Sequence, residues 1–313
     1  MSSNSGELPR SQLLVTGASG YIGSNLIPYL RSQGETVRAF GRKALPGMED
    51  IWIAGDITDA QAIRGVLAGV DKIIHLACLP MGNCAKDPAA CVAVNVQGTL
   101  NLLEACKAIE ISQFVYLSTA QVYGYPVRLP IDEDHPTNPR SVYAASKLAG
   151  EHLVQAYANA AGLSATILRL FNVYGWADIS SSAIHQRSTV ESIFIRQALA
   201  GRPLTIEAHP MEARDFIHIT DVVRAIHAAV RRKGQAERLN IGSGQMITLG
   251  ALASEVLRLC GKEIQPNVSS YLHPPLQLQA DITQAKQMLE FVPAVSLSAG
   301  LQQLIRIYQE KFG

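Results

Sequence analysis

Short apolar segments rich in β-branched residues alternate with longer amphipathic segments through the first half of the chain. Such apolar segments are typical of strands, whereas apolar residues that recur at helical spacing are typical of helices. The predicted strands are 13–16, 36–40, 72–76, 114–118 and 166–171. The predicted helices are 24–32, 60–67, 94–108 and 142–160. This alternation predicts an α/β fold, a doubly wound parallel sheet with ligands at the carboxyl ends of its strands.

The alternation loosens after residue 175. Residues 176–188 are polar and serine-rich, which predicts a loop. Later helices are predicted at 191–200, 221–232, 249–259 and 298–311, with short strands at 204–206 and 239–241. We therefore predict a sheet domain over residues 1–175, to which the strand near 239–241 returns. A smaller, mostly C-terminal lobe over 176–313 is expected to bind the substrate.

A glycine-rich turn connects the first predicted strand to the first predicted helix. Gly17 permits a tight turn, Gly20 lets the backbone approach a pyrophosphate, and Gly23 lets the helix pack close to the sheet. The helix N-terminus then presents free amides and a positive dipole end to the anion. Glycines alone are common in loops, but the strand–turn–helix context favours a Rossmann-like dinucleotide site. The predicted cofactor contacts in this turn are Gly17, Ser19, Gly20, Tyr21, Ile22 and Gly23.

Composition narrows the class of partner more than the class of fold. The 313 residues carry a net charge of +1, with 48% hydrophobic and 17% charged positions, which is ordinary for a globular protein. We expect no nucleic-acid or membrane partner, because a net charge of +1 does not provide the strongly positive surface that either would bind. No apolar run reaches the ~20 residues that span a bilayer. The polar segment 1–9 lacks the apolar core of a signal peptide, so we expect a cytoplasmic protein.

The cysteines argue against both a metal site and a disulfide framework. The chain has 5 of them, an odd number without CxxC spacing, at Cys78, Cys84, Cys91, Cys106 and Cys260. A zinc site needs closely spaced ligand pairs, and disulfide frameworks belong to small secreted domains. We therefore expect no metal, and we interpret these residues as small buried thiols rather than redox regulators.

Tyr143 and Lys147 lie four residues apart in a predicted helix, and therefore on one face of it. A tyrosine hydroxyl loses its proton near pH 10, but a nearby ammonium stabilises the phenolate and lowers that pKa. Such a pair can act as a general acid/base. Lys147 could also donate to the ribose hydroxyls of a nicotinamide cofactor. Because most Tyr/Lys pairs at this spacing lie on solvated helix faces, their neighbours decide the interpretation.

Hydroxyl groups follow the strand predicted over 114–118. Ser118, Thr119 and Gln121 stand at its carboxyl end, where this architecture builds its ligand sites. Thr119 could bond a substrate oxygen and share its proton with Tyr143. The alternative is an ordinary strand-to-loop turn, in which Ser and Thr are common.

Together these motifs resemble those of the extended short-chain dehydrogenases/reductases, in particular the NAD(P)-dependent nucleotide-sugar epimerase/dehydratase family. The likeness runs nearly from end to end and keeps the family's motif order. It implies that Thr119 is the catalytic hydroxyl, Tyr143 the general acid/base and Lys147 the catalytic lysine.

The resemblance also implies further binding residues. On the cofactor side these are Asp56, Ile57, Leu76, Ala77 and Asn95. On the substrate side they are Ser118, Thr119, Gln121, Asn172 and Arg214, the last two at the diphosphate of a nucleotide sugar. A guanidinium offers forked charged donors that suit phosphate oxygens. The alternative for Arg214 is an ion pair with Glu212 or Asp215.

The end of the second strand departs from NAD-preferring relatives, which usually carry an acid there that binds the adenosine ribose. This chain has Gly41, Arg42 and Lys43 instead. Gly41 removes a carboxylate that would repel a 2′-phosphate, and the two bases offer donors to it. We therefore expect NAD or NADP, with NADP favoured. The alternative is that both bases are solvated and the enzyme uses NAD.

The resemblance leaves three reactions open. We favour a nucleotide-sugar 4-epimerase, which transfers a hydride through a keto intermediate. The alternative is an NADPH-dependent nucleotide-sugar 4-ketoreductase, which Gly41 and Arg42 support. A reductase or dehydrogenase of a non-sugar alcohol comes third. A sugar 4,6-dehydratase is not expected, because Ala120 and Gln121 stand where those enzymes carry an Asp-Glu pair.

A protein that senses a dinucleotide without catalysis is the rival from another class. The joint presence of Thr119, Tyr143 and Lys147 argues against it. The segment 79–86 lacks the family's usual serine and 207–213 lacks its glycines, so the sugar and the base stay open. The resemblance also implies a homodimer, formed through two helices per subunit that include the helix of Tyr143.

Overall fold

The computed structural model describes residues 12–176, 189–209, 211–269 and 274–312. The segment 1–9 and most of the loop predicted at 176–188 lie outside these ranges. The strands are β1 (Gln12–Thr16), β2 (Thr36–Gly41), β3 (Trp52–Ala54), β4 (Val70–His75), β5 (Gln113–Thr119), β6 (Ala165–Leu170), β7 (Asn172–Tyr174), β8 (Thr205–Ile206), β9 (Ala213–His218), β10 (Gln235–Ile241), β11 (Met246–Thr248) and β12 (Asn267–Val268). The helices are α1 (Tyr21–Ser32), α2 (Ala60–Val66), α3 (Met81–Lys86), α4 (Pro88–Val92), α5 (Gly98–Cys106), α6 (Val142–Ala161), α7 (Val190–Leu199), α8 (Ile219–Arg231), α9 (Leu249–Leu259), α10 (Thr283–Leu289) and α11 (Leu297–Phe312). Within the described ranges, none of them is long and apolar enough to cross a membrane.

Seven strands form one sheet in the order β10-β6-β5-β4-β1-β2-β3. β1 pairs in parallel with both β2 and β4. The pairs β2–β3 and β4–β5 are parallel as well. Because the strand order reverses at β1, the general site of this architecture is the crevice outside the carboxyl ends of β1 and β4. The predicted fold class, a doubly wound α/β sheet, is confirmed.

Local sequence explains where these elements form and begin. Leu13, Leu14 and Val15 of β1 are at most 1% exposed, as expected of a central strand covered on both faces. The carboxylate of Asp59 accepts hydrogen bonds from the N–H groups of Gln61 and Ala62 and so begins α2, as a good N-cap residue does. The elements closest to β1 are therefore set by short-range signals.

The helix predicted over 94–108 is not regular. α4 is followed by a π-helical segment, Ala93–Gln97, before α5 begins. Wider turns of this kind are frequent at functional sites. Here the segment contains Asn95, a predicted cofactor residue. Hydrophobic periodicity does not show such a local change of helix type.

Two smaller sheets complete the described structure. β9 pairs with β11 in antiparallel and with β7 in parallel fashion, and β12 pairs with β8. The sequence does not predict β7, β9 or β11. β7 and β11 have only three residues each, and all three strands pair with partners that are distant along the chain. The short elements β3, β12, α3, α4 and α10 are likewise missing from the sequence prediction.

The chain divides into two compact units. The first comprises the residues up to Leu117, Ser146–Ile167 and Ala229–Glu237. The second comprises Ser118–Ala145, Leu168–Ala228 and the residues from Arg238 onward. The domain boundary near residue 175 and the assignment of 176–313 as a substrate lobe stay predictions.

Candidate active site

The turn after β1 is shaped to receive a phosphate group. Gly17 has a φ of +67°, and a Cβ there would lie 2.5 Å from the backbone nitrogen of Ala77, so only glycine fits without strain. The N–H of Gly20 donates to the Gly17 carbonyl over 2.9 Å and closes the turn. α1 then begins without a side-chain cap or an acidic residue in its first turn. Its N-terminal amides and dipole therefore suit an anion, and this cradle fits the pyrophosphate of a dinucleotide.

A buried histidine in β4 connects β1 to α5. The Nδ1 atom of His75 lies 2.7 Å from the Thr16 hydroxyl, and Nε2 lies 3.0 Å from the Thr99 hydroxyl. Thr99 donates its own proton to the Asn95 carbonyl, so His75 Nε2 carries a proton and donates to Thr99. Burial, and secondly the charge of Lys147, lowers the pKa of His75 to about 3. The network is therefore neutral at physiological pH.

Asn95 is 1% exposed and joins two segments of the first unit. Its Oδ1 accepts from the N–H of Leu79 over 2.6 Å. Its Nδ2 donates to the hydroxyl of Ser146, in α6, over 2.9 Å. Asn95 therefore fixes the chain beyond β4 to the helix that carries Lys147. Direct contact of Asn95 with a cofactor stays a prediction.

The expectation of buried thiols is wrong for three of the cysteines. Cys84 and Cys91 form a disulfide, with their Cα atoms 4.8 Å apart, because the short helices α3 and α4 bring them together. Cys78 is free but exposed, whereas Cys106 is buried and Cys260 is partly buried. Burial raises the pKa of Cys106 to about 12. Within the described ranges, no three His, Cys, Asp or Glu residues are grouped as metal ligands.

Tyr143 and Lys147 both lie in α6, which runs unbroken from Val142 to Ala161. The hydroxyl of Ser141 accepts from the N–H of Ala144 over 3.1 Å and fixes the start of this helix. Tyr143 is partly exposed, whereas Lys147 is only 3% exposed. The Lys147 ammonium lies 4.1 Å from the ring centroid of Tyr116. The sequence identifies the Tyr/Lys pair but not the ring beneath the lysine.

Thr119 ends β5 and begins a short 3₁₀-helix. Its hydroxyl accepts a hydrogen bond from the N–H of Gln121 over 3.3 Å, so its proton stays available to another acceptor. Ser118 is buried and Gln121 is exposed. The approach of Thr119 and Tyr143 to one substrate oxygen stays a prediction.

The predicted substrate residues lie in the small sheet. Asn172 begins β7 and is partly buried. Arg214 in β9 forms an ion pair with Glu212 and donates to the carbonyl oxygen of Leu276 over 2.5 Å. Burial lowers the pKa of Arg214, and the Glu212 carboxylate opposes this change. The alternative partner Asp215 does not pair with Arg214, and diphosphate binding by Arg214 stays a prediction.

Asp215 instead holds three backbone segments of the second unit together. Its carboxylate accepts hydrogen bonds from the N–H groups of Ser243, Gly244 and Ala280 and from the Ser243 hydroxyl, over 2.7–3.1 Å. Asp215 is fully buried, and burial raises its pKa above the ordinary value. The sequence indicates Asp215 only as a possible partner for Arg214, and no local pattern predicts these backbone contacts.

The end of β2 carries a feature that the sequence analysis missed. A Cβ at Gly41 would lie 3.1 Å from a ring carbon of Trp52, the first residue of β3. The indole therefore lies against the position where NAD-preferring relatives have an acid. The Thr58 N–H lowers the pKa of Asp56, and the Arg42 charge adds a smaller decrease. Arg42 is thus close to Asp56, a predicted cofactor residue, while binding of a 2′-phosphate stays a prediction.

Comparison with known proteins defines the class of protein. Residues 13–242 match the NAD dependent epimerase/dehydratase family, and the chain belongs to that family. It is 31% identical to the UDP-glucose 4-epimerase of Mycolicibacterium smegmatis, over 95% of this chain and 98% of that one. An uncharacterized UDP-glucose epimerase of Bacillus subtilis is 33% identical, with 93% and 95% covered.

A solved structure gives the same result for the fold. The UDP-glucuronic acid 4-epimerase of Bacillus cereus, in complex with UDP-glucuronic acid and NAD, superimposes with a TM-score of 0.84 at 31% identity. The superposition covers 96% of this chain and 100% of that one. The resemblance drawn from the motifs is therefore confirmed.

Proposed function

We propose that this protein is an NAD(P)-dependent nucleotide-sugar 4-epimerase. The observation that carries the proposal is the Tyr/Lys pair of α6, in which a buried lysine follows Tyr143 by one helical turn. The full-length likeness to UDP-sugar 4-epimerases supports the reaction type. We infer a UDP-sugar substrate on the same grounds.

In this mechanism Tyr143 moves the proton at the sugar C4 oxygen. The Lys147 ammonium stabilises its phenolate and so brings the phenol pKa towards neutrality. Tyr143 removes the proton from the C4 hydroxyl and later returns it, while Thr119 orients that oxygen. Preorganised donors beside a developing oxyanion are the main electrostatic contribution to catalysis. Arg214 and Asn172 would hold the substrate diphosphate.

The first unit supplies the groups that would hold the cofactor. The glycine turn and the N-terminus of α1 would bind the pyrophosphate, and Lys147 the nicotinamide ribose. Predicted contacts line the rest of that site, at Ser19, Tyr21, Ile22, Asp56, Ile57, Leu76, Ala77 and Asn95. The chemistry that such a cofactor supplies when bound is acceptance of a hydride from the sugar C4 carbon and its return.

Cofactor preference is a finer part of the proposal. We infer that NADP is accepted, because Gly41 places no carboxylate at the adenosine ribose and Arg42 and Lys43 follow it. Titration of the apoprotein with NAD and with NADP, followed by fluorescence, checks this. Equal binding of NADP by the R42A/K43A variant would show that both bases are merely solvated.

The 4-ketoreductase is the second candidate, and Gly41 with Arg42 favours it. A 4-deuterated UDP-glucose separates the two. An epimerase inverts C4 and returns the deuterium to it, whereas a 4-ketoreductase, whose substrate is the 4-keto sugar, leaves UDP-glucose unchanged when only NADPH is added. Proton NMR of the product shows both the C4 configuration and the label. Cofactor released on denaturation gives an independent answer, since retained NAD favours the epimerase.

The catalytic assignment is tested with Y143F. Loss of a general acid/base is expected to lower kcat by about 10²- to 10⁴-fold. Y157F is the matched control, because Tyr157 lies in the same helix, bonded to Glu104, and has no part in the mechanism. Unchanged activity of Y143F would overturn the proposed function and favour a cofactor sensor.

A homodimer and a cytoplasmic location remain parts of the proposal. Light scattering of the purified protein checks the homodimer.

A further inference from the structure

The charge of Lys147 is buried, and a buried cation is costly unless a partner compensates it. Lys147 is 3% exposed. Its ammonium lies over the face of the Tyr116 ring, 4.1 Å from the centroid. A cation over an aromatic face is attracted to the ring quadrupole, and the attraction strengthens when water is excluded. The ring therefore stabilises the charged form of Lys147 at this position.

Tyr116 is itself held firmly. It lies in the middle of β5 and is fully buried. Its hydroxyl donates to the backbone carbonyl of Lys147 over 3.3 Å. A Cβ at Gly150, one turn further along α6, would overlap this hydroxyl, so a glycine is needed there. One tyrosine thus contacts Lys147 at both its backbone and its ammonium.

The surroundings of Tyr116 keep its hydroxyl protonated, so that the hydroxyl can donate a hydrogen bond. Burial raises the pKa of Tyr116 well above its ordinary value, with a smaller increase from Glu151 in α6 and from Cys78 after β4. His75 of β4, whose ring centroid lies 5.7 Å from that of Tyr116, is uncharged because its pKa is about 3. Among the described residues, Lys147 is therefore the one cation that contacts the face of the Tyr116 ring.

We propose that Tyr116 is a positioning residue, whose ring face holds the Lys147 ammonium and whose hydroxyl fixes the helical turn that carries it. The proposal rests on the proposed function, in which Lys147 lowers the pKa of Tyr143. If the ring is lost, the ammonium is less well fixed and the phenolate less stabilised. The acidic limb of the kcat–pH profile, which reports Tyr143 as a base, then moves to higher pH.

The test replaces Tyr116 with Phe and then with increasingly fluorinated phenylalanines, introduced by a suppressor tRNA. Fluorination keeps the ring's shape but weakens the negative potential of its face. We expect Y116F to keep the wild-type midpoint of the acidic limb, because the ring face remains, but to unfold at lower urea concentration, because the bond that fixes the helical turn is lost. Progressive fluorination should raise it by about one pH unit in total, the equivalent of roughly tenfold in equilibrium constant. Y116L should show the same shift with a lower kcat and little change in KM.

Phe114 provides the matched control. It lies two residues earlier in β5, on the same face as Tyr116, and is equally buried. The same fluorinated residues at position 114 should leave the midpoint unchanged. A midpoint that stays constant through the Tyr116 series would overturn the proposal, and so would an equal shift from position 114. The series stays informative even if Y116L fails to fold.

The two proposals fail in different ways. If Y143F keeps full activity, the proposed function is wrong and the Tyr116 series has no acid/base group to report. If Y143F loses activity but fluorination at Tyr116 has no effect, only the positioning role of Tyr116 is wrong. Wild-type and variant denaturation curves, recorded in urea, separate any loss of stability from the pH shift.

Discussion

The two predicted binding regions are built from different chemistry. In the first unit, Thr16, His75, Thr99 and Asn95 form a neutral network beside the glycine turn. In the second unit, charged groups dominate the predicted substrate region: Arg214 pairs with Glu212. The neutral network is complete within the protein, whereas the guanidinium of Arg214 is held by a carboxylate that a phosphate could replace.

Under the proposed function, this difference matches the different demands of binding a cofactor and binding a substrate. A cofactor kept through many turnovers is best served by a rigid neutral frame, whose hydrogen bonds do not change with pH or salt. A substrate that enters and leaves each cycle can be bound by exchanging one ionic partner for another. Each of the predictions below changes one region and asks whether the other stays as it is.

The largest effect is expected from D215N. An amide can accept with its oxygen only, so its NH₂ group would face backbone N–H donors in a buried site. Hydrogen bonds to a buried charge contribute about 1.5–3 kcal/mol each, and we expect the free energy of unfolding to fall by about 3 kcal/mol or more. Urea denaturation measures this. D59N is the control, since Asn caps a helix as well as Asp does and should change stability little.

A D215N protein as stable as wild type would contradict the conclusion that Asp215 holds backbone segments of the second unit together. Binding of NAD by the folded variant should remain close to wild type, because the cofactor residues belong to the first unit. A loss of NAD binding without loss of stability would break the comparison between the two regions.

Several parts of both units could be predicted from sequence because their signals are short-range. The glycine turn and the Tyr143/Lys147 spacing lie within single strand–turn–helix or helical segments. Their geometry follows from backbone rules that hold in any context. The predicted bounds of 249–259 agree with α9, whose amphipathic pattern is complete and whose first turn is capped by Thr248.

The interactions that depend on distant pairs could not be predicted. Tyr116 and Lys147 are 31 residues apart along the chain, and no local pattern places that ring under the ammonium. The same holds for Asp215, whose hydrogen-bond donors lie on backbone segments that follow it by up to 65 residues. For Cys84 and Cys91 the obstacle is different, because the disulfide depends on the angle between two very short helices.

A smaller decrease in the free energy of unfolding is expected when the pH is lowered, and His75 is the residue that tests it. Its pKa is about 3 in the folded protein and near 6.5 in the unfolded chain. Between these values the unfolded state binds the extra proton, so stability falls by up to about 1.4 kcal/mol for each pH unit below 6.5. H75Q, which can still donate and accept, should flatten the dependence of unfolding free energy on pH between 6 and 4.

His218 in the second unit offers a second test of this pH dependence. Burial lowers its pKa to about 4, so H218Q should flatten the curve over a narrower range than H75Q. The exposed His152 is the control, and H152Q should leave the slope as it is. An H75Q slope equal to that of wild type would mean that folding does not lower the pKa of His75.

The smallest effect, and the one that tests the comparison most directly, is expected from E212Q. Removing this carboxylate frees the Arg214 guanidinium from its ionic partner but leaves the bond to the Leu276 carbonyl. A partly exposed ion pair is worth roughly 1 kcal/mol at most. If Arg214 binds the substrate diphosphate, UDP should therefore bind about threefold to fivefold more tightly to E212Q, as measured by calorimetry.

E237Q is the matched control, because Glu237 forms a partly buried ion pair with Arg232 and has no predicted substrate role. It should leave UDP affinity unchanged. Weaker UDP binding by E212Q would mean that the ion pair holds Arg214 in its binding position rather than competing with phosphate. The substrate region would then be as preorganised as the cofactor region, and charge exchange would no longer distinguish them.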